Sequence, residues 1–136
     1  MKTEIIEITQ LNGSEACYAA AKAYVEMCEH GAAEKTQIAY FWDDQALIIK
    51  YRNNIIGLLL YRIVPHQKKI FIAIGWVAYD FRKAGLYTSL YNHLVAIRKK
   101  KFPDYKIQGG ICAGNKRMEK LVVKQGRKLI GSLYEG

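Results

Sequence analysis

A chain of 136 residues with 51% hydrophobic content is one domain's worth of sequence, residues 1–136, with apolar mass enough for a core, and this excludes intrinsic disorder. It has no run of 18 apolar residues and so no helical membrane span, and the acidic, alternating start MKTEIIEITQ is neither a signal peptide nor a transit peptide. The net charge of +9 is lopsided: residues 1–68 carry 7 Lys/Arg against 8 Asp/Glu, while residues 69–136 carry 14 against 4, which fits the second half to an anionic partner.

Glu4 to Thr9 reads as a first strand, broken by Asn12-Gly13. Ser14 is placed to cap a helix that runs to about His30, with Gly31 as its stop. Cys17, Ala21, Tyr24 and Cys28 give that helix an apolar face. The three cysteines, Cys17, Cys28 and Cys112, form neither a metal set nor a disulfide framework by spacing. We expect them reduced and buried in a cytoplasmic protein. Ala32 to Gln37 is a short helix or an ordered loop. The run Ile38-Ala39-Tyr40-Phe41-Trp42-Asp43-Asp44 has two readings. It is core followed by a turn, or it is an aromatic and acidic wall for a cationic amine.

Ala46–Tyr51 and Ile55–Val64 read as strands joined by Arg52-Asn53-Asn54, a tight hairpin because asparagine tolerates positive φ. Pro65–Lys68 is a second turn, and Ile70–Val77 a third strand, apolar on both sides. After it come the polar turn Tyr79-Asp80-Phe81, the basic, glycine-containing segment Arg82–Tyr87, and a helix. Leu86, Leu90, Leu94 and Ile97 share one face of that helix. A strand that feeds such a loop into a helix N-terminus is an anion site: the first N–H groups lack internal partners and the dipole favours negative charge. Arg98–Lys101 suit the helix end, and Pro103 stops it. Lys106–Cys112 is a strand weakened by Gly109-Gly110, Asn115 caps a last helix closed by Gly126, and Leu129–Tyr134 is a single closing strand. Strands followed by alternating helices and strands make a mixed α/β fold.

The Ile70–Leu90 stretch resembles the acetyl-CoA-binding motif of the GNAT superfamily of N-acetyltransferases: a strand ending in Val, a turn, then Arg/Gln-x-x-Gly-x-Gly/Ala opening a helix. Val77, Arg82 and Gly85 stand at that spacing, and Tyr87 stands where Gly or Ala is usual. A second resemblance lies about 30 residues on, in Asn115, Met118, Leu121 and Gly126, with Arg127 where Phe is usual.

The resemblance implies a largely antiparallel central sheet flanked by helices. It implies acetyl-CoA as co-substrate and an amine acceptor, small molecule or peptide, as partner. Val77, Arg82, Lys83, Ala84, Gly85, Leu86, Tyr87, Thr88 and Asn115 are then the cofactor-binding residues. The family's usual carboxylate on the strand and usual Tyr, here Val122, are both missing. Tyr79 and Tyr134 are the replacement candidates for the general acid, with Tyr87 behind them. Trp42, Asp43 and Asp44 are the acceptor-side candidates. The alternative is a non-catalytic acetyl-CoA-binding or interaction protein on the same fold. We find no nucleic-acid reading motif and expect no nucleic-acid partner, no membrane and no metal; a homodimer is allowed.

Overall fold

Arg52 and Asn53 take positive φ, 51° and 67°, and close a two-residue hairpin between β2 (Gln45–Tyr51) and β3 (Asn54–Val64). Paired left-handed residues match the twist of the flanking strands. A short 3-10 turn at Pro65–Gln67 then reverses the chain into β4 (Lys69–Val77). The computed structural model describes residues 3–29, 44–110, 120–121, 123–130 and 133–135. Within them the other elements are β1 (Glu4–Ile8), α1 (Ala16–Glu29), α2 (Leu86–Lys101), β5 (Lys106–Gly110), β6 (Lys128–Ile130) and β7 (Leu133–Glu135). The described strands form one seven-stranded sheet in the order β1-β2-β3-β4-β5-β7-β6, and β4–β5 is its parallel pair. The fold is mixed α/β with a largely antiparallel sheet, as the sequence implied.

The single closing strand expected over Leu129–Tyr134 is instead a hairpin, β6 and β7, with β7 against β5. Gly131-Ser132, a turn-forming pair in sequence, divides the run. The last helix is seen at residues 120, 121, 123 and 124 and closes at Gly126, whose φ is 78°.

Each face of the sheet has its own core. Leu47, Ile49, Leu59, Tyr61, Ile70 and Ile72 pack with Leu86, Leu90 and Leu94 of α2. Ile48, Leu58, Leu60, Ile74 and Trp76 pack with Leu11, Ala16, Ala20 and Ala23 on the α1 side. The buried stripe of α1 is therefore alanine at i, i+4 and i+7. Cys17 is exposed, contrary to the face and the burial we expected for it. Alanine brings the helix axis close to the sheet, which leaves the larger side chains of α1 to its flanks. Ser14 does cap α1: its Oγ accepts from the N–H of Ala16 at 3.2 Å and donates to the Leu11 carbonyl at 2.6 Å.

A bulge in β4 decides which way the end of that strand faces. Leu60 pairs with Ile74 and Tyr61 with Ile72, so Ala73 has no opposite number. Ile72 and Ile74 thus face opposite sides of the sheet despite their spacing of two. Beyond the bulge, Gly75 and Val77 turn to α2, and Trp76 turns to α1.

Candidate functional site

Among the described residues, β4 and β5 are paired from Lys69↔Lys106 to Ile72↔Gly109. Gly110 pairs onward with Leu133 of β7 but not with β4. β4 meanwhile continues beside β3 to Val77. Among the described residues its last part is therefore paired on the β3 side alone, and its other edge, unpaired, bounds a cleft. The Ala78 N–H donates to the Ile56 carbonyl of β3 at 2.8 Å. Alternate residues of an antiparallel strand turn their N–H and C=O to opposite sides, so those of Val77 and Gly75 face the cleft. Of the two main-chain donors near this point, Val77 is open and Ala78 is spent.

The chain then makes a 3-10 turn at Tyr79–Phe81 and enters the loop. Lys83 and Gly85 both take left-handed φ, 69° and 77°, and Gly85 leads directly into α2. Among the described residues no main-chain carbonyl accepts from the N–H groups of Lys83 through Thr88; the first helical bond runs from the Ser89 N–H to the Gly85 carbonyl at 3.0 Å. Lys83, Ala84 and Gly85 are exposed. A run of unengaged N–H groups at alternating backbone hand is a concave anion cradle, reinforced by the helix dipole. At Gly85 the positive φ and the open surroundings leave the main chain bare.

No family model matches the chain, and no curated protein does. Solved structures do. An acetyltransferase of GNAT family from Staphylococcus aureus Mu50 is similar at a TM-score of 0.75 and 12% identity, over 98% of each chain. A GNAT family acetyltransferase from Elizabethkingia anophelis with acetyl-CoA bound is similar at 0.68 and 20% identity, over 94% of this chain and 77% of that one. The N-acetylglutamate synthase from Neisseria gonorrhoeae, complexed with coenzyme A and N-acetyl-glutamate, gives 0.70 and 12% identity; the match spans 96% of this chain and 29% of that one. The fold is the GNAT fold.

Within this GNAT fold the sequence-derived residues sort unevenly. Lys83, Ala84, Gly85, Leu86, Tyr87 and Thr88 form the cradle through main chain, beside the cleft edge at Val77. Arg82 does not offer its side chain to a ligand. Its Nε donates to the Val77 carbonyl at 2.9 Å, its Nη2 meets Glu26 Oε1 at 2.9 Å, and its guanidinium lies 5.5 Å over the Tyr79 ring. Its side chain is a brace that ties the loop to β4 and α1. Tyr87 is buried, with its ring against Gly75, so its side chain does not obstruct the cradle. A Cβ at Gly75 would stand 2.4 Å from Tyr87 Cε2. Tyr79 is 74% exposed beside the loop. Tyr134 occupies β7 opposite Gly109.

Asp44 is not an open acceptor carboxylate. Its side chain has 0% exposure, and it receives Arg62 in a fork, Nε at 2.7 Å and Nη2 at 2.9 Å. An amine approaching it would have to displace that pair, so its role is internal. Trp42, Asp43 and Asn115 lie outside the described residues.

Sequence reasoning passed over Glu26. From α1 it accepts the Trp76 indole N–H at 3.2 Å and the Arg82 guanidinium, which brings a carboxylate to the end of β4. It stands 50 and 56 residues from these partners, and no local pattern signals such contacts.

Proposed function

We propose that this protein is an acyl-CoA-dependent N-acyltransferase that moves an acetyl group from acetyl-CoA to a primary amine by direct attack in a ternary complex. The observation that carries this is the run of N–H groups from Lys83 to Thr88 that no described main-chain carbonyl engages, beside the edge of β4 at Val77 that no described strand pairs. Anionic pyrophosphate suits the cradle, and the amide-bearing pantetheine arm suits a strand edge that offers the Val77 N–H and the Gly75 C=O, the Val77 carbonyl being held by Arg82. The ligands named for the Elizabethkingia and Neisseria structures agree with this reading.

In the reaction the amine nitrogen bonds to the thioester carbon, the C–S bond breaks, the amine loses a proton to water, and the thiolate regains one. The Val77 N–H meets the carbonyl oxygen as it gains charge. Positioning supplies most of the rate, since a general base contributes typically ~10²–10⁴-fold. Tyr79, exposed beside the loop, is the candidate proton donor to the thiolate, with Tyr134 as the other. Trp42 and Asp43 remain the proposed acceptor side, and Asn115 the proposed contact to the pantetheine arm. The acceptor is a small-molecule or peptide amine. The protein works as a cytoplasmic single domain, where a free thiol product is stable; among the described residues no helix is long and apolar enough to cross a membrane.

A second reading, acetyl-CoA binding without transfer, draws on the absence of any carboxylate in β4 and on Val122 at the usual position of the acid. One experiment separates the two. Acetyl-CoA should bind and raise the Tm by linkage, and thiol release against a panel of amines should follow only if transfer occurs. Gly85→Glu, which places a charged side chain in the cradle, should weaken acetyl-CoA binding at least tenfold in a folded protein. Undiminished binding in that variant would move the site elsewhere.

A further inference from the structure

The two departures from the GNAT motifs, Tyr87 and Arg127, meet in space. Arg127 Nη1 lies 3.5 Å from the Tyr87 hydroxyl and 3.5 Å from Gln125 Oε1, long contacts both, and its guanidinium is 4.8 Å over the Tyr91 ring. Arg127 is only 5% exposed. No carboxylate among the described residues stands within ion-pair reach of it, unlike Arg62 and Arg82. Its Nε and the Nε2 of Gln125 are buried and make no hydrogen bond. The Tyr87 hydroxyl accepts from Arg127, and no described acceptor takes its proton. Three side chains thus converge with donors to spare and, among the described residues, no anion between them. Burying a guanidinium costs heavily unless an anion or a full set of acceptors is supplied. A buried donor set of this kind calls for an occupant.

The place narrows the occupant. Gly109 is the last β5 residue paired with β4, and a Cβ there would be 3.1 Å from Arg127 Nη2. The Tyr87 ring lies on Gly75, two residues before Val77. The donors therefore sit on the α2 side of the sheet at the last described β4–β5 pair, below the N–H of Val77 by roughly 7 Å at the rise of a strand. The phosphates are accounted for by the exposed cradle above. In the acyl-CoA reading, the group that would reach down from Val77 is the acyl group.

We propose that Tyr87, Gln125 and Arg127 form a carboxylate subsite at the floor of the cleft, and that the preferred donor is a CoA thioester of a short dicarboxylic acid, acetyl-CoA being the smaller donor of the same site. The inference rests on the acyl-CoA reading above. The distal carboxylate is held and not consumed: the thioester C–S bond breaks, the amide C–N bond forms, water takes the amine proton, and the thiolate regains a proton. The guanidinium supplies the charge and a planar fork, Gln125 Nε2 and the Tyr87 hydroxyl the remaining donors.

Calorimetric titration of the whole chain with succinyl-CoA, malonyl-CoA and acetyl-CoA tests this. One of the dicarboxylic thioesters should bind at least tenfold tighter than acetyl-CoA, and Arg127→Phe should bring that ratio to near one. Equal affinities in the parent protein, or a preference that survives Arg127→Phe, overturn the subsite and leave the acyl-CoA reading standing. No binding of any thioester overturns both. If Arg127→Phe does not fold, Gln125→Glu serves instead, because it supplies an internal carboxylate to Arg127. It should raise the Tm of the free protein and erase the preference; a lowered Tm with the preference intact overturns the proposal.

Discussion

On the α1 face of the sheet, Arg62 and Arg82 each meet a carboxylate at 2.7–2.9 Å. On the α2 face, Arg127 is buried against two tyrosines, and no carboxylate among the described residues stands beside it. The difference teaches that charge in a sequence and charge available to a ligand are separate quantities. Arg82, which stands in a motif associated with phosphate, is spent on the architecture. Arg127, which stands where the resembled family has an apolar ring, retains its valence.

The sharpest way to break that comparison is Asp44→Asn. It removes half of a buried pair, and we expect a loss of about 3 kcal/mol, the usual order for an orphaned partner. Arg127→Gln, which orphans no described carboxylate, should cost much less. Urea unfolding of both variants measures the contrast, and equal losses would erase it.

Alkaline pH tests the α2 face alone. Burial, aided by the charge of Glu7, pushes the Tyr61 hydroxyl up to about 12. Burial also raises Tyr87 and Tyr91, against an opposing pull from Arg127. A raised tyrosine keeps its proton in the folded state while the unfolded chain ionises. Its stabilisation is therefore whole below pH 10 and is lost as pH rises from 10 through about 12. The full loss from Tyr61 is on the order of 2 kcal/mol. Tyr61→Phe should flatten the stability profile above pH 10; an unchanged slope would assign the loss to other groups.

Next in size is Gly75→Ala. The new methyl would collide with the Tyr87 ring, and overpacking of this kind costs about 1.5 kcal/mol. In a Tyr87→Ala background the same change should be nearly free. A double-mutant cycle that shows no coupling would mean that the two residues do not share the space.

The smallest effect is expected from Glu26→Gln. A partly exposed pair contributes about 1 kcal/mol or less. The readout is Trp76, whose indole N–H loses a charged acceptor, so its fluorescence should shift. Unaltered emission would remove Glu26 from the end of β4.

Most of the fold was legible because its signals are local. Arg52-Asn53 forced a hairpin, the apolar run to Val77 forced a covered strand, and Gly85 opened the helix. The antiparallel pair β6–β7 was missed because Leu129–Tyr134 reads as one strand pattern although Gly131-Ser132 interrupts it in sequence. The cradle was legible, since main-chain donors at a helix start need no partner from elsewhere. The roles of Arg82 and Asp44 were not. Both depend on partners far along the chain, Glu26 for one and Arg62 for the other, and which side chain a bulge turns to which face is not written in hydropathy. Tyr87 stands in a position where the resembled family has a small residue. It is accommodated by the absence of a side chain at Gly75, twelve positions earlier.

A sheet ordinarily has two rims. Among the described residues this one has a third, inside the sheet, where the end of β4 is paired on one side only. Bare rims recruit other strands and are a route to aggregation. Here the rim lies inside the sheet, beyond the last described β4–β5 pair, and not at its outer edge. In the function proposed above, the guest such an inner rim suits is a single slender, amide-bearing chain, which can pair with one strand's backbone without a second sheet.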